Sequence, residues 1–170
     1  NLPYDEDGKV AAKGKVSFEL LDILMKDEYY DLDYPKSTGR EKYNEEYINY
    51  ILDLSNKFNL RNEDIIRTVT ALTAEVIKYQ IKKFFKDFDG LLIAAGGGCN
   101  NPVLMSDLES NSYQLQKIDD YNISADAKEA YAFSILGYLR LTNQVSNLRS
   151  VTGSKDNLSL GSIILPPVIK

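Results

Sequence analysis

A chain of 170 residues with 44% apolar and 26% charged side chains can bury one ordinary globular core. A formal charge of -5 and a sequence pI near 4.8 argue against a nucleic-acid partner. With no histidine and one cysteine, Cys99, the chain lacks the Ser-His and Cys-His dyads, the usual zinc-hydrolase ligands and any internal disulfide.

A reducing cytoplasm suits the single cysteine; no apolar run approaches the ~18 residues that span a bilayer, no secretory leader is visible, and no membrane partner is expected. The chain opens at Asn1-Leu2-Pro3 rather than at methionine, as a fragment would. No internal repeat or low-complexity segment appears.

In chain order, Asp7 is a plausible cap for a short helix around Lys9 to Lys13, and Phe18, Leu21, Leu24 and Met25 define one face of a helix over Ser17 to Lys26. Asp27 to Tyr34 has no period and is expected to be loop. Asn44, followed by Glu45 and Glu46, caps a helix reaching Lys57. Asn62 is expected to cap the longest helix, to Phe85, in which Ile65, Ile66, Val69, Leu72, Val76, Ile77, Ile81 and Phe84 recur at three- and four-residue steps. Lys78, Lys82, Lys83 and Lys86 lie on it as a solvated face.

Leu91-Leu92-Ile93-Ala94-Ala95 is a continuous apolar run of the kind found in strands buried on both faces. Gly96-Gly97-Gly98 follows, and Asn101-Pro102 is a cap-and-first-position pair opening a helix to Leu108. Tyr113 to Ile118 alternates like a strand. Asp126 to Leu141 is a helix with Ala130, Ser134 and Gly137 in its stripe. Residues 143–160 form a polar loop, and Ile163-Ile164-Leu165 is a last apolar run ended by Pro166-Pro167. The sum is helix-rich α/β with too few strands for a self-contained sheet.

Strand, glycines and helix N-terminus together make a general ligand cradle, since glycine admits close backbone approach and the helix end offers N–H groups and partial positive charge. The alternative is a tight turn without a ligand. In a dinucleotide fingerprint the third glycine would fall at Asn101, and Asp119 or Asp120 stands where a ribose-binding acid sits, so a Rossmann-type NAD domain stays open at this point. A P-loop is excluded, because no Gly-Lys-Ser/Thr follows.

Four separated segments narrow the choice: Pro35-Lys36-Ser37-Thr38-Gly39-Arg40-Glu41, Gly96-Gly97-Gly98-Cys99-Asn100-Asn101-Pro102, Ile123-Ser124-Ala125-Asp126-Ala127-Lys128-Glu129-Ala130, and Asn147-Leu148-Arg149-Ser150-Val151-Thr152-Gly153. In order and spacing, and with Thr70-Ala71-Leu72-Thr73-Ala74-Glu75, they resemble the anhydro-N-acetylmuramic acid kinase family. The resemblance covers nearly the whole chain but only the C-terminal half of the family's proteins. Arg149 departs from the family's usual proline.

The resemblance implies a ribonuclease H-like domain of the actin, hexokinase and Hsp70 superfamily, with its sheet incomplete in this fragment. It also implies ATP with Mg²⁺, a cytoplasmic homodimer, and an anhydro-muramic sugar opened by water while its O6 is phosphorylated during peptidoglycan recycling. Gly96, Gly97, Gly98 and Asn101 then correspond to the adenosine side of the nucleotide site. The family's phosphate loops and its general-base aspartate lie upstream of Asn1, so no catalytic residue and no metal ligand is assigned here. The fragment alone is expected to be inactive.

Other residues carry two readings. Lys36, Ser37, Thr38 and Arg40 form a surface loop before a capped helix on their own evidence. By resemblance they line the cleft, where the cations could meet phosphate or the lactyl carboxylate. Glu129 could complete a capping box with Asp126, or contact substrate as in the family. Asn147, Ser150, Thr152 and Gly153 could shape a loop or close the nucleotide pocket. A non-catalytic, chaperone-like nucleotide-binding module of the same superfamily is the alternative to a kinase.

Overall fold

The computed structural model describes residues 3–166. The chain divides into two compact units, Asn1–Asp126 and Ala127–Lys170.

The first unit is organised on a 23-residue helix, α4 (Asn62–Phe84), whose length at 1.5 Å per residue is about 34 Å. Against it pack α1 (Phe18–Leu24) and α3 (Glu45–Lys57), and Leu20, Leu21, Leu24, Ile51 and Leu72 form the buried cluster. Leu21, Leu24 and Leu72 are positions that the helical spacing marks, but Phe18 of the expected α1 face is 70% exposed and Leu20 is buried instead. A polar clamp sits inside this apolar contact. Thr68 is fully buried; its Oγ1 donates to Asp64 O at 2.6 Å and accepts from Ser17 N at 3.0 Å, tying the α1 cap to α4.

The caps at Asn44 and Asn101 form as the sequence suggests, their side chains accepting from Tyr47 and from both Val103 and Leu104 N–H groups, while Ser17, expected inside α1, is instead its cap and accepts from Leu20 N. The cap of α4 differs. Asn62 is already helical, and Arg61 takes the cap position with its guanidinium bonded to Asp64 at 2.9 Å. Asp27 to Tyr34 is not wholly loop, because Asp27 accepts from Tyr29 N at 2.9 Å and starts the single turn α2 (Glu28–Asp31), which buries Tyr30. One turn is too short to show a period. Lys83 holds this turn from α4, donating to Asp31 O and to Leu32 O.

The opening segment is two 3₁₀ turns, Glu6–Gly8 and Ala11–Lys13, rather than one short helix. Asp5 does the capping expected of Asp7, accepting from Val10 N at 2.7 Å and Ala11 N at 2.9 Å. Asp7 itself has φ 54°, outside the helical region.

The sheet has two parallel strands, β1 (Leu91–Ala94) and β2 (Gln114–Lys117), in register Leu91 to Gln114 through Ala94 to Lys117. The connection between them carries α5 (Pro102–Leu108). The strand expected to be buried on both faces is not: Leu91 is 38% and Ile93 46% exposed. With two strands each is an edge, and the face bearing Leu91 and Ile93 has no covering layer among the described residues.

In the second unit α6 runs Lys128–Leu141. Its cap is Ala127 with no side-chain bond, so the expected Asp126–Glu129 box is not formed. The polar loop after it contains one helical turn, α7 (Arg149–Thr152), closed by Gly153 at φ 69°. Residues Ile163, Ile164 and Leu165 take no regular structure, and Pro167 lies outside the described residues.

Candidate functional site

The glycine turn joins β1 to α5 through a 3₁₀ turn at Gly97–Asn100, rather than running straight into the helix. Gly96 has φ 94°, a conformation that disfavours any residue with a Cβ. Cys99 N donates to Gly96 O at 3.0 Å and Asn101 N to Gly98 O at 3.1 Å, which closes the turn on itself. Cys99 points inward at 4% exposure, and burial pushes its thiol above the ordinary value, so it is a packing residue.

A Cβ on Gly98 would meet Leu104 at 3.4 Å, but at Gly96 and Gly97 nothing lies within 4 Å of that position. Packing within the chain therefore does not explain why Gly97 lacks a side chain. Within the turn, the Cys99 and Asn101 amides are spent on its own carbonyls. The first amides of α5 are also taken, because Asn101 Oδ1 accepts from Val103 N at 3.0 Å and Leu104 N at 3.1 Å. The helix end thus differs from the free anion-binding terminus suggested by the strand–glycine–helix pattern.

Behind the turn, α5 is locked to α4 by a bidentate pair, Arg67 to Asp107 at 2.6 and 2.8 Å, with both side chains about four-fifths buried at 19% and 20% exposure. Neither residue belongs to a motif in the sequence. Forty positions separate them, and no local pattern announces such a pair. Of the two acids after β2, Asp120 accepts from Lys117 N at 3.2 Å and Asp119 from Ala125 N at 3.3 Å. Both serve their own loop.

The Lys36–Arg40 segment is also in the first unit, but at the other end of α4. Lys36 Nζ donates to Tyr29 O at 3.0 Å and Tyr30 O at 3.2 Å, and lies 4.9 Å from the Tyr29 ring and 5.5 Å from that of Phe84. About 25 Å of helix separates Phe84 from Arg67, beside which α5 is anchored. The structure therefore does not bring Lys36 to the glycine turn. Ser37 and Arg40 are exposed, and Arg40 makes no hydrogen bond or ion pair among the described residues. Thr38 Oγ1 is buried without a partner.

Glu129 lies in the first turn of α6, in the second unit, and is exposed. In that unit Asn147 shapes its loop: it is 7% exposed, donates to Asp156 O at 2.9 Å and accepts from Leu158 N at 2.7 Å. Among the described residues no three His, Cys, Asp or Glu side chains converge as metal ligands. No described helix is long and apolar enough to cross a membrane.

Comparison with known proteins bears on what such a turn serves. Residues 1–166 match the family model described as anhydro-N-acetylmuramic acid kinase. The chain is 40% identical over 173 aligned residues to an anhydro-N-acetylmuramic acid kinase of Clostridioides difficile strain 630, covering 98% of this chain and 44% of that protein. It is 37% identical to the Haemophilus influenzae protein of the same name (95% and 45% covered), and 35% identical to one from Bacillus cereus (98% and 45%). The chain thus spans a little under half the length of these relatives. A match running through both units and across the glycine turn means that the chain belongs to the anhydro-N-acetylmuramic acid kinase family.

Proposed function

We propose that this chain is the C-terminal, nucleotide-side part of an ATP-dependent kinase acting on 1,6-anhydro-N-acetylmuramic acid. In the whole protein the sugar's anhydro ring is opened by water and its O6 takes the γ-phosphoryl group, giving N-acetylmuramic acid 6-phosphate for peptidoglycan recycling. The domain belongs, on this reading, to the ribonuclease H-like actin, hexokinase and Hsp70 superfamily, in a cytoplasmic homodimer. Family membership supports the chemistry. The observation that carries the site is the open space where Cβ atoms would stand on Gly96 and Gly97.

Phosphoryl transfer depends on positioning and charge neutralisation more than on covalent chemistry by the protein. The part assigned to this chain is positioning. Gly96, Gly97 and Gly98 present side-chain-free backbone to the adenosine, and Asn101 fixes the turn by capping α5. Mg²⁺ would arrive on the nucleotide phosphates. The residues described here do not form a metal-ligand set, and no step is routed through the cation. Arg40, free of internal partners among the described residues, is a better candidate for an anionic sugar group than Lys36, whose ammonium already has two carbonyls. Glu129, Ser37 and Thr38 are the remaining substrate-side candidates.

The test is the whole protein incubated with the anhydro sugar and ATP, with products read by mass spectrometry. A sugar monophosphate, absent when residues 1–170 are supplied alone, is expected. ATP consumption only with a different sugar would overturn the substrate, and preferential binding of NAD would overturn the kinase reading.

A further inference from the structure

The glycine turn is braced from outside by a segment that the site reading does not use. Gly8 closes the first 3₁₀ turn, is buried, and has φ +66°. A Cβ built on it would stand 2.2 Å from Asn101 Oδ1 and 2.9 Å from Asn101 Cγ. An asparagine side chain can usually swing away from such a clash. This one is pinned, because the same Oδ1 accepts the two amides that start α5. Any atom added at Gly8 must therefore either uncap α5 or displace the turn that ends at Asn101.

The brace is itself anchored. Asp5 closes the loop through the Val10 and Ala11 amides, and Ala11 is fully buried. At the far end, Gly14 lies so close to α4 that a Cβ would meet Glu63 O at 2.0 Å. Lys15 N then donates to Asp64 Oδ1 at 2.8 Å. The loop thus runs as a strut from α4 to Asn101, while Arg67 and Asp107 hold the other end of α5 to the same helix.

We infer that Gly8 is a positioning residue for the nucleotide turn: its missing side chain sets where Asn101, and with it Gly96–Gly98, stands relative to the bound adenosine. The inference rests on the proposed reading of that turn. A displaced turn weakens ATP binding in the ground state and the transition state alike, so the effect belongs in KM for ATP rather than in kcat.

The experiment uses the whole protein with steady-state kinetics in ATP at saturating anhydro sugar. Gly8→Ala is expected to raise KM for ATP on the order of tenfold with kcat within about threefold. Ile51→Ala, a core truncation between α3 and α4, lowers the melting temperature but leaves KM for ATP unchanged, separating positioning from general destabilisation. Gly97→Val tests the reading itself, since a Cβ there has nothing within 4 Å in this chain and the added side chain stands where the adenosine is proposed to lie. Should Gly8→Ala not fold, Asp5→Asn loosens the same loop and is expected to raise KM for ATP about threefold. If Gly97→Val raises KM and the Gly8→Ala or Asp5→Asn value stays within about twofold of the parent, the inference fails and the nucleotide reading survives. An unchanged KM in Gly97→Val overturns both.

Discussion

Replacing Thr68 with valine removes one hydroxyl from the centre of the first unit while keeping its shape. In the native arrangement that hydroxyl donates to Asp64 O at 2.6 Å and accepts the Ser17 amide at 3.0 Å, in a site with no solvent access. Valine leaves the Ser17 N–H without its partner. An unsatisfied buried donor costs about 1–3 kcal/mol, and the gain from burying a methyl in place of a hydroxyl offsets under ~1 of this. The expected loss is therefore about 1–2 kcal/mol. Thr68→Ser keeps both bonds and loses one buried methyl, also about 1 kcal/mol. Stability alone does not separate the two variants, but amide hydrogen exchange at Ser17 does. Urea unfolding gives the energy, and exchange gives its cause: protection at Ser17 should fall in Thr68→Val and persist in Thr68→Ser. A valine variant within 0.5 kcal/mol of the parent (roughly the scatter expected of a neutral substitution), with Ser17 still protected, would refute the clamp.

A double-mutant cycle on Arg67→Ala and Asp107→Ala should give a coupling of roughly 1–3 kcal/mol, since the pair is bidentate and largely buried; additive single effects would mean that α5 is held by packing alone. Asp64 has its carboxyl held down to about 2, first by the Arg61 guanidinium and then by the Lys15 N–H. Its folded-state value lies below the unfolded value of about 3.9, so its contribution is present above pH ~4 and is lost as pH falls through about 2. Carboxyl NMR titration should find Asp64 near 2, and Asp64→Asn should flatten that acid limb; titration at the ordinary aspartate value would break the assignment.

Periodicity made the first unit's helices legible. The apolar spacing from Ile65 to Phe84 carries one long helix, and cap residues at Asn44 and Asn101 mark starts that the backbone then uses. Such signals are local, decided within one or two turns by hydrogen bonds to neighbouring amides. Elements too short to repeat a pattern escaped it, as α2 and the two opening 3₁₀ turns show. The caps at Asn62 and Asp126 failed where a neighbouring residue took the position instead.

The glycine turn was visible from the start, and the separated segments were enough to indicate the family that the comparisons show. What the sequence could not decide was which groups are already spent. Lys36 reads as a free cation until two carbonyls from a turn seven residues back are found on it, and the α5 amides read as an anion site until Asn101 fills them. Gly8 carries no signal at all, since its importance is a distance to a side chain 93 positions away. By itself, the order of residues determined where helices begin, which stretches are apolar and which family the chain joins, because those depend on neighbours along the chain. Only the tertiary structure decided that Arg67 meets Asp107, that Thr68 meets Ser17, and that the turn is braced by Gly8. Those contacts depend on atoms brought together through space, where hydrogen-bonding capacity is finite and every buried group must find its own partner.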